Sequence, residues 1–319
     1  MDDQLKSRRG LPQSQYGVGV LFGVAGYLLW GLFPLYFHAL SAFSPIEVVA
    51  NRVVWSLVLL AIIITVSRSW GRLRADMASR GVVMWLGIGS IFLAINWGLY
   101  VWAVESGLVI QASLGYFINP LVTVLLGVLV LKERLRRMQW VALGIAVVAV
   151  CVLTIGFGHL PWIGLILAAS FAIYGLIKKQ VGVGSVESLT IETAVLAPFA
   201  LAIMTGFMIT GQSAVEPDGV RGVLLLVLLG PITAIPLLLF GGATNRVPLS
   251  TLGLMQYLTP LAQFIIGYFV FGEQMSSTRW AGFLLVWTAL VIFSIDMYRS
   301  SRRTVASAAS TTLAVTEPD

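Results

Sequence analysis

The chain has 319 residues, 58% of them hydrophobic and 11% charged, with a formal net charge of +6 and a mean hydropathy of +0.92. A soluble domain carries roughly 25% charged residues and could not cover this much apolar surface, so the composition excludes a soluble protein and indicates a polytopic membrane protein. The basic residues lie in short stretches between apolar runs, which reads as membrane topology and argues against nucleic-acid binding.

The polar opening, residues 1–16, lacks the apolar core and cleavage site of a secretory signal, so the first apolar segment is expected to act as the insertion signal itself. Ten apolar segments follow, at about 17–37, 46–66, 82–104, 107–130, 138–156, 161–179, 188–210, 220–240, 249–271 and 279–297. Each is near the ~20 residues that a bilayer requires. Segments three and four are separated only by Glu105, Ser106 and Gly107. The lone cysteine, Cys151, allows no internal disulfide. Residues 298–319 end in an Ala/Ser/Thr-rich stretch expected to be a disordered tail.

With the N-terminus inside, 17 of the 20 basic residues fall on the inner face. They cluster before segment one, between segments two and three, four and five, six and seven, and eight and nine, and after segment ten. Arg221 and Arg279 fall outside, and Arg52 lies within segment two. The asymmetry places both termini in the cytoplasm.

Pro120, Gly127, Glu133 and Trp140 recur 140 residues later as Pro260, Gly267, Glu273 and Trp280. Trp30-Gly31-Leu32 answers to Tyr174-Gly175-Leu176, and Glu47 to Glu192. The chain therefore reads as two copies of one five-helix unit, 17–156 and 161–297. Five is odd, so the second copy enters the membrane inverted, an arrangement many secondary transporters use. The fold expectation is an all-α bundle of ten transmembrane helices in two inverted repeats.

A polar side chain inside a span needs a partner or water, so each is a candidate site residue. Tyr116, Asn119 and Thr123 share one face of segment four. The offset places Gln256, Thr259 and Gln263 on the equivalent face of segment nine. These stripes either line a shared substrate cavity or hydrogen-bond helices together. Asn96 and Tyr100 share a face of segment three and are read as cavity lining, whereas Trp97 and Trp102 are read first as packing or interfacial residues. Pro120 and Pro260 are expected to kink their helices and to free carbonyls near Tyr116 and Gln256 for the cavity.

Glu47, Arg52 and Glu192 are the candidates for proton coupling or gating. Each carboxylate reads equally well as a helix-start charge. Arg52 either binds an anionic substrate group or clamps a neighbouring helix. Glu133 and Glu273 are read as structural, stabilising the helices that follow them and cross-linking loops. Lys178 and Lys179 read as interfacial anchors. His38 and His159 are too isolated for a metal site. No HExxH, Walker, GxSxG or CxxC pattern is present, so neither an enzyme, a cofactor nor a metal is expected.

Several blocks resemble the drug/metabolite transporter superfamily, in particular the EamA-type RarD group of chloramphenicol-sensitive proteins. They are residues 47–56 (EVVANRVVWS), 96–97, 102–104, 113–121 (SLGYFINPL), 133–140 (ERLRRMQW), 170–176, 192–193 and 250–257 (STLGLMQY). The resemblance covers about 17–297. It implies ten helices, two EamA repeats, a plasma-membrane location and small-molecule transport, most often export. RarD-like chains often carry Glu where this one has Gln111 and His where it has Asn51. The expected partners are the lipid bilayer, a small-molecule substrate and protons, with no nucleic acid; a homodimer is compatible with the sequence. The competing expectation is a membrane-embedded sensor or scaffold that binds without transporting.

Overall fold

The computed structural model describes residues 13–40, 42–106, 109–157, 162–211, 215–270, 277–278, 280–282, 284–285, 287–296 and 299. The opening residues 1–12, His159, Glu273, Arg279 and all of the tail but Arg299 lie outside the described residues, as do the side chains of His38 and Gln111.

Every regular element described is a helix. In lipid this is forced, because a helix satisfies its backbone hydrogen bonds within one segment. The helices are α1 (Gln13–Gly31), α2 (Phe33–Ala39), α3 (Pro45–Val66), α4 (Trp70–Ala78), α5 (Arg80–Glu105), α6 (Val109–Leu129) and α7 (Arg137–Phe157). They continue as α8 (Trp162–Val181), α9 (Ser185–Thr210), α10 (Val215–Thr244), α11 (Leu249–Met255) and α12 (Leu258–Phe269). A last helix, α13, runs Trp280–Asp296. Among the described residues six stretches are long and apolar enough to cross a membrane: Gln15–Phe37, Pro45–Val66, Arg80–Tyr100, Trp162–Val181, Ser185–Thr210 and Gly219–Thr244. Gly115–Leu129, Arg137–Val152 and α13 are shorter apolar helices. Large apolar side chains such as Leu21, Val66, Phe199, Met208 and Ile209 are exposed, as a lipid-facing surface requires.

The ninth apolar segment is broken into α11 and α12 at Gln256–Tyr257. Pro260 has no N–H to offer Gln256, one turn earlier. Thr259 N–H donates to that carbonyl instead, at 3.1 Å. The sequence-based expectation of a freed Gln256 carbonyl is therefore corrected: the turn tightens and consumes it. Pro120, by contrast, sits inside a continuous α6.

The helices form two compact units. The larger spans Met1–Glu133 and Leu160–Gln274 and holds α1–α6 and α8–α12. In it α6 packs along α8 and α11, α3 along α9 and α10, α5 along α8 and α9, and α1 along α10 and α12. Each of these pairs joins the first half of the chain to the second. The α6–α11 crossing is a close one. A Cβ on Gly253 would lie 2.9 Å from the Pro120 carbonyl oxygen, and one on Gly127 would lie 3.0 Å from Ser250 N. Small residues are what allow membrane helices to approach this far.

Glu133 locks the crossing. Its N–H donates to Gly127 O at the end of α6 (3.0 Å). Its carboxylate accepts from Leu249 N–H (2.7 Å) and Ser250 N–H (2.8 Å), the first free amides of α11. Pro248 at the N-cap supplies no side-chain acceptor, so Glu133 takes over that role. The helix start that its carboxylate serves is that of α11 rather than of the helix that follows it. The start of α7 is served by Gln139, which is buried and accepts from Arg136 N–H (2.9 Å), half of a capping box.

The smaller unit spans Arg134–His159 and Met275–Asp319 and holds α7 and α13. Within it Arg136 and Asp296 form an ion pair at 2.6 Å. In the larger unit the short helix α4 buries Leu73 against Ile64, Leu86 and Ile191, and Arg72 pairs with Glu187 (3.1 Å). Burial, reinforced by Glu187 and opposed by Arg72, raises the Asp76 carboxyl above its ordinary value.

Replacing Glu133 by Ala removes both acceptors from the start of α11. It is expected to cost about 1–3 kcal/mol, read as a lower unfolding midpoint in detergent, with Glu133→Gln falling between. An unchanged midpoint for Glu133→Ala would show that the bidentate cap contributes nothing.

Candidate functional site

In the larger unit, side chains from both halves of the chain enclose a cavity of about 220 Å³. The aromatic part comes from Tyr27 and Trp30 of α1, Phe33 and Phe37 of α2, Trp97 and Tyr100 of α5, Tyr116 of α6 and Phe171 of α8. The polar part comes from Arg52, Asn96, Asn119, Gln256, Thr259 and Gln263. Aromatic walls with a few convergent amides suit a small molecule that stacks and hydrogen-bonds.

Of the eight residues assigned to substrate from the sequence, seven line this cavity: Asn96, Tyr100, Tyr116, Asn119, Gln256, Thr259 and Gln263. Thr123 does not; it is buried one turn away and donates to Asn119 Oδ1 (3.3 Å), holding that amide in place. Several liners are tethered to backbone. Asn96 Nδ2 donates to Leu167 O (2.8 Å) and Ser170 Oγ (3.1 Å). Thr259 Oγ1 donates to Tyr27 O (2.9 Å). Two liners are left open: Tyr27 OH and Gln256 Oε1 are buried without a hydrogen-bond partner.

Arg52 is placed by α3 in the cavity lining. Its Nε donates to Thr233 Oγ1 (3.0 Å), and its guanidinium lies over Trp97 (4.5 Å), Phe37 (5.6 Å) and Phe33 (5.8 Å). Through these contacts Arg52 of α3 reaches α2, α5 and α10. Trp97 therefore lines the cavity and carries the guanidinium, which revises its reading as packing. Trp102 stands away from it against Trp162, ring centroids 5.8 Å apart.

Glu47 and Glu192 lie outside the cavity lining. Glu47 is buried in the first turn of α3, where its carbonyl accepts from Asn51 Nδ2 (3.0 Å). Asn51 in turn accepts from Trp55 Nε1 (3.2 Å), so both ends of its amide are used along the helix. Glu192 is ion-paired. Lys178 Nζ reaches its Oε1 at 2.8 Å and Oε2 at 3.0 Å, and Tyr174 OH donates to Oε2 at 2.9 Å. The Lys178 and Glu192 side chains are 2% and 1% exposed, so the pair is desolvated. This corrects Lys178 as an interfacial anchor: its ammonium is in the core. Lys179 also turns inward, donating to Thr244 O (3.0 Å). Phe171 and Phe240 stack between this trio and the cavity: Tyr174 lies on Phe240 (6.1 Å, 17°), and Phe171 contacts both Tyr174 and Trp30.

The sequence reading missed most of the aromatic wall. The recurrence of Tyr27, Trp30, Phe33 and Phe37 every three or four residues was the available signal. It missed the Lys178–Glu192 pair because each charge has a sufficient local explanation.

Residues 17–155 match the EamA-like transporter family. Over 305 residues the chain is 48% identical to Protein RarD of Streptomyces exfoliatus, covering 95% of this chain and 97% of that one. The chain belongs to the EamA-like transporter family. Its place there is in the RarD group. The uncharacterized transporter YojE of Bacillus subtilis is 39% identical over 291 residues, covering 89% of this chain and 96% of the relative. A solved protein structure shares the fold with a TM-score of 0.66 at 19% identity, covering 87% of this chain and 97% of its own. Family membership and the apolar helices together make this EamA-like chain a multi-pass membrane protein.

Replacing Lys178 by Met strands a buried carboxylate, which typically costs about 3–5 kcal/mol. The double change Lys178→Met with Glu192→Leu is expected to recover much of that. Unfolding midpoints of the three proteins in detergent check it; a single variant as stable as wild type would mean that the pair does not hold the core.

Proposed function

We propose that this protein is a secondary transporter that exports a small polar or aromatic metabolite or drug across the plasma membrane by alternating access. The observation that carries the reading is the cavity, built from aromatic and amide side chains of both halves of the chain. Substrate would contact Asn96, Tyr100, Tyr116, Asn119, Gln256, Thr259 and Gln263, with Thr123 orienting Asn119.

The packing supports two inverted five-helix repeats. Let each apolar segment be exchanged for its counterpart in the other half. The α6–α8 pair becomes the pair of segment nine with α1, seen as α12 on α1. The α5–α8 pair becomes α10–α1, and α3–α10 becomes α9–α5, all of which occur. The α3–α9 and α6–α11 pairs map onto themselves. An approximate twofold relation through the cavity is the simplest source of such a pattern. The family match over 17–155 has the length of one proposed repeat, and the inward bias of Lys and Arg supports an orientation with both termini in the cytoplasm.

In this scheme the Lys178–Glu192–Tyr174 trio and the aromatic stack above it close one side of the cavity. Glu192 is the proposed gate residue: a separation of α8 from α9 on that side would break the trio. A proton gradient is the proposed energy source, with the buried Glu47 and Glu192 as the proposed coupling carboxylates.

Thiol labelling tests alternating access. In a Cys151→Ser background, Tyr116→Cys and Gln256→Cys are expected to react with an impermeant reagent from opposite faces of oriented vesicles. A ligand that holds one state should suppress one label and enhance the other. Protection that never changes at either position would favour a fixed scaffold over a transporter.

A further inference from the structure

Arg52 is the only charged side chain that lines the cavity among the described residues. A guanidinium keeps its charge at any physiological pH and offers five N–H donors in one plane. Here Nε is satisfied by Thr233 Oγ1, and the flat faces are covered by aromatic rings. The Nη1 and Nη2 groups make no hydrogen bond, and no Asp or Glu lies within ion-pair distance among the described residues. The chain treats the buried cation Lys178 differently: it receives a carboxylate and a phenol. A half-buried cation that has aromatic walls and no counter-ion favours an anion that enters beside it. Cation–π contacts stabilise the faces of the guanidinium and leave its edge, which carries the paired donors that match a carboxylate.

Two further groups in the same cavity are unpartnered and more than nine-tenths buried, the hydroxyl of Tyr27 and the side-chain oxygen of Gln256. Both are neutral. Nothing in the lining offers the negative charge that an ammonium group would need.

We propose that the cavity selects an organic monoanion, an aromatic or similarly flat apolar body bearing one carboxylate. The carboxylate engages the open edge of Arg52, the body lies among the aromatic walls, and a polar substituent reaches Tyr27 and Gln256. Neutral, zwitterionic and cationic analogues of the same body are disfavoured: the neutral and cationic forms leave the guanidinium unpaired, and the zwitterionic and cationic forms bring in an unmatched ammonium. At about 220 Å³ the cavity is smaller than the roughly 300–1,000 Å³ of drug-sized pockets, so the anion is a compact metabolite. This inference rests on the transporter reading only in supposing that the cavity is a substrate site.

The test uses the full-length protein in detergent and four probes that share one skeleton: 3-phenylpropionate, 3-phenylpropionamide, L-phenylalanine and 3-phenylpropylamine. Binding is read by thermal stabilisation and by fluorescence of the cavity tryptophans, in wild type, Arg52→Gln and Arg52→Lys. Wild type is expected to bind the acid roughly ten- to a hundredfold more tightly than the amide, the range of a charge-assisted bond to a desolvated cation. In Arg52→Gln the acid-to-amide ratio should fall to near unity, and Arg52→Lys should retain part of it. A helix clamp alone would move the unfolding midpoint of Arg52→Gln without moving that ratio. Should Arg52→Gln not fold, the wild-type ratio and its partial loss in Arg52→Lys decide. Equal or tighter binding of the amide, the amino acid or the amine overturns the proposal. So does a ratio that survives in Arg52→Gln, or the absence of binding by the acid at millimolar concentration. Counterflow in proteoliposomes separates the two readings. An acid that binds but is never exchanged counts against transport and leaves the anion site standing. Exchange of the amide or amine without the acid does the reverse.

Discussion

Two helix backbones meet in this protein where no side chain would fit. Gly127 on α6 and Gly253 on α11 bring the helices so close that a methyl group on either would collide with main-chain atoms. Apolar side chains gain little by leaving lipid for one another, so association inside a membrane depends on such close packing and on hydrogen bonds. Glu133 adds the latter, joining the end of one helix to the open amides of the other. The crossing fixes where α6 presents Tyr116 and Asn119 and where the chain after α11 presents Gln256 and Thr259. The cavity walls are set by this contact.

The break between α11 and α12 follows from the same economy. A proline one turn after Gln256 forbids a regular helical bond there. The chain tightens and lets Thr259 N–H take the orphaned carbonyl. The backbone thus stays satisfied at membrane depth, and what remains open in the cavity is side-chain chemistry: a phenol, an amide oxygen and the edge of a guanidinium.

Two cations, Lys178 buried and Arg52 half-buried, show how differently one chain can stabilise a charge. Lys178 is neutralised by Glu192 and Tyr174 within a dry core, an arrangement that holds helices α8 and α9 together. Arg52 is held by aromatic faces and one hydroxyl, with its donors directed to the cavity. The first suits a contact that must hold or break as a unit. The second suits a charge kept ready for something that comes and goes. The Lys178 trio lies wholly within the second half of the chain, whereas Arg52 reaches from the first half to Thr233 in the second.

Hydropathy alone determined that the chain crosses a membrane as helices, since length and apolarity are local properties and lipid leaves the backbone no other economical choice. The 140-residue recurrence and the helical spacing of polar residues were also local enough to single out Tyr116, Asn119, Gln256, Thr259 and Gln263, which the fold then gathered into one cavity. Thr123 has the same spacing yet turns to Asn119, because a helical face is broader than the cavity that it borders. Partners far apart in sequence were beyond this kind of reading. Glu133 caps a helix that begins 116 residues later. Lys178 and Glu192 look like two separate helix-end charges until α8 and α9 are laid together. Arg52 shows no sign in sequence of the rings around it, which come from α2 and α5. Which charges are paired, and which one is left facing the cavity, is a property of distances between helices, and only the tertiary structure decides those distances.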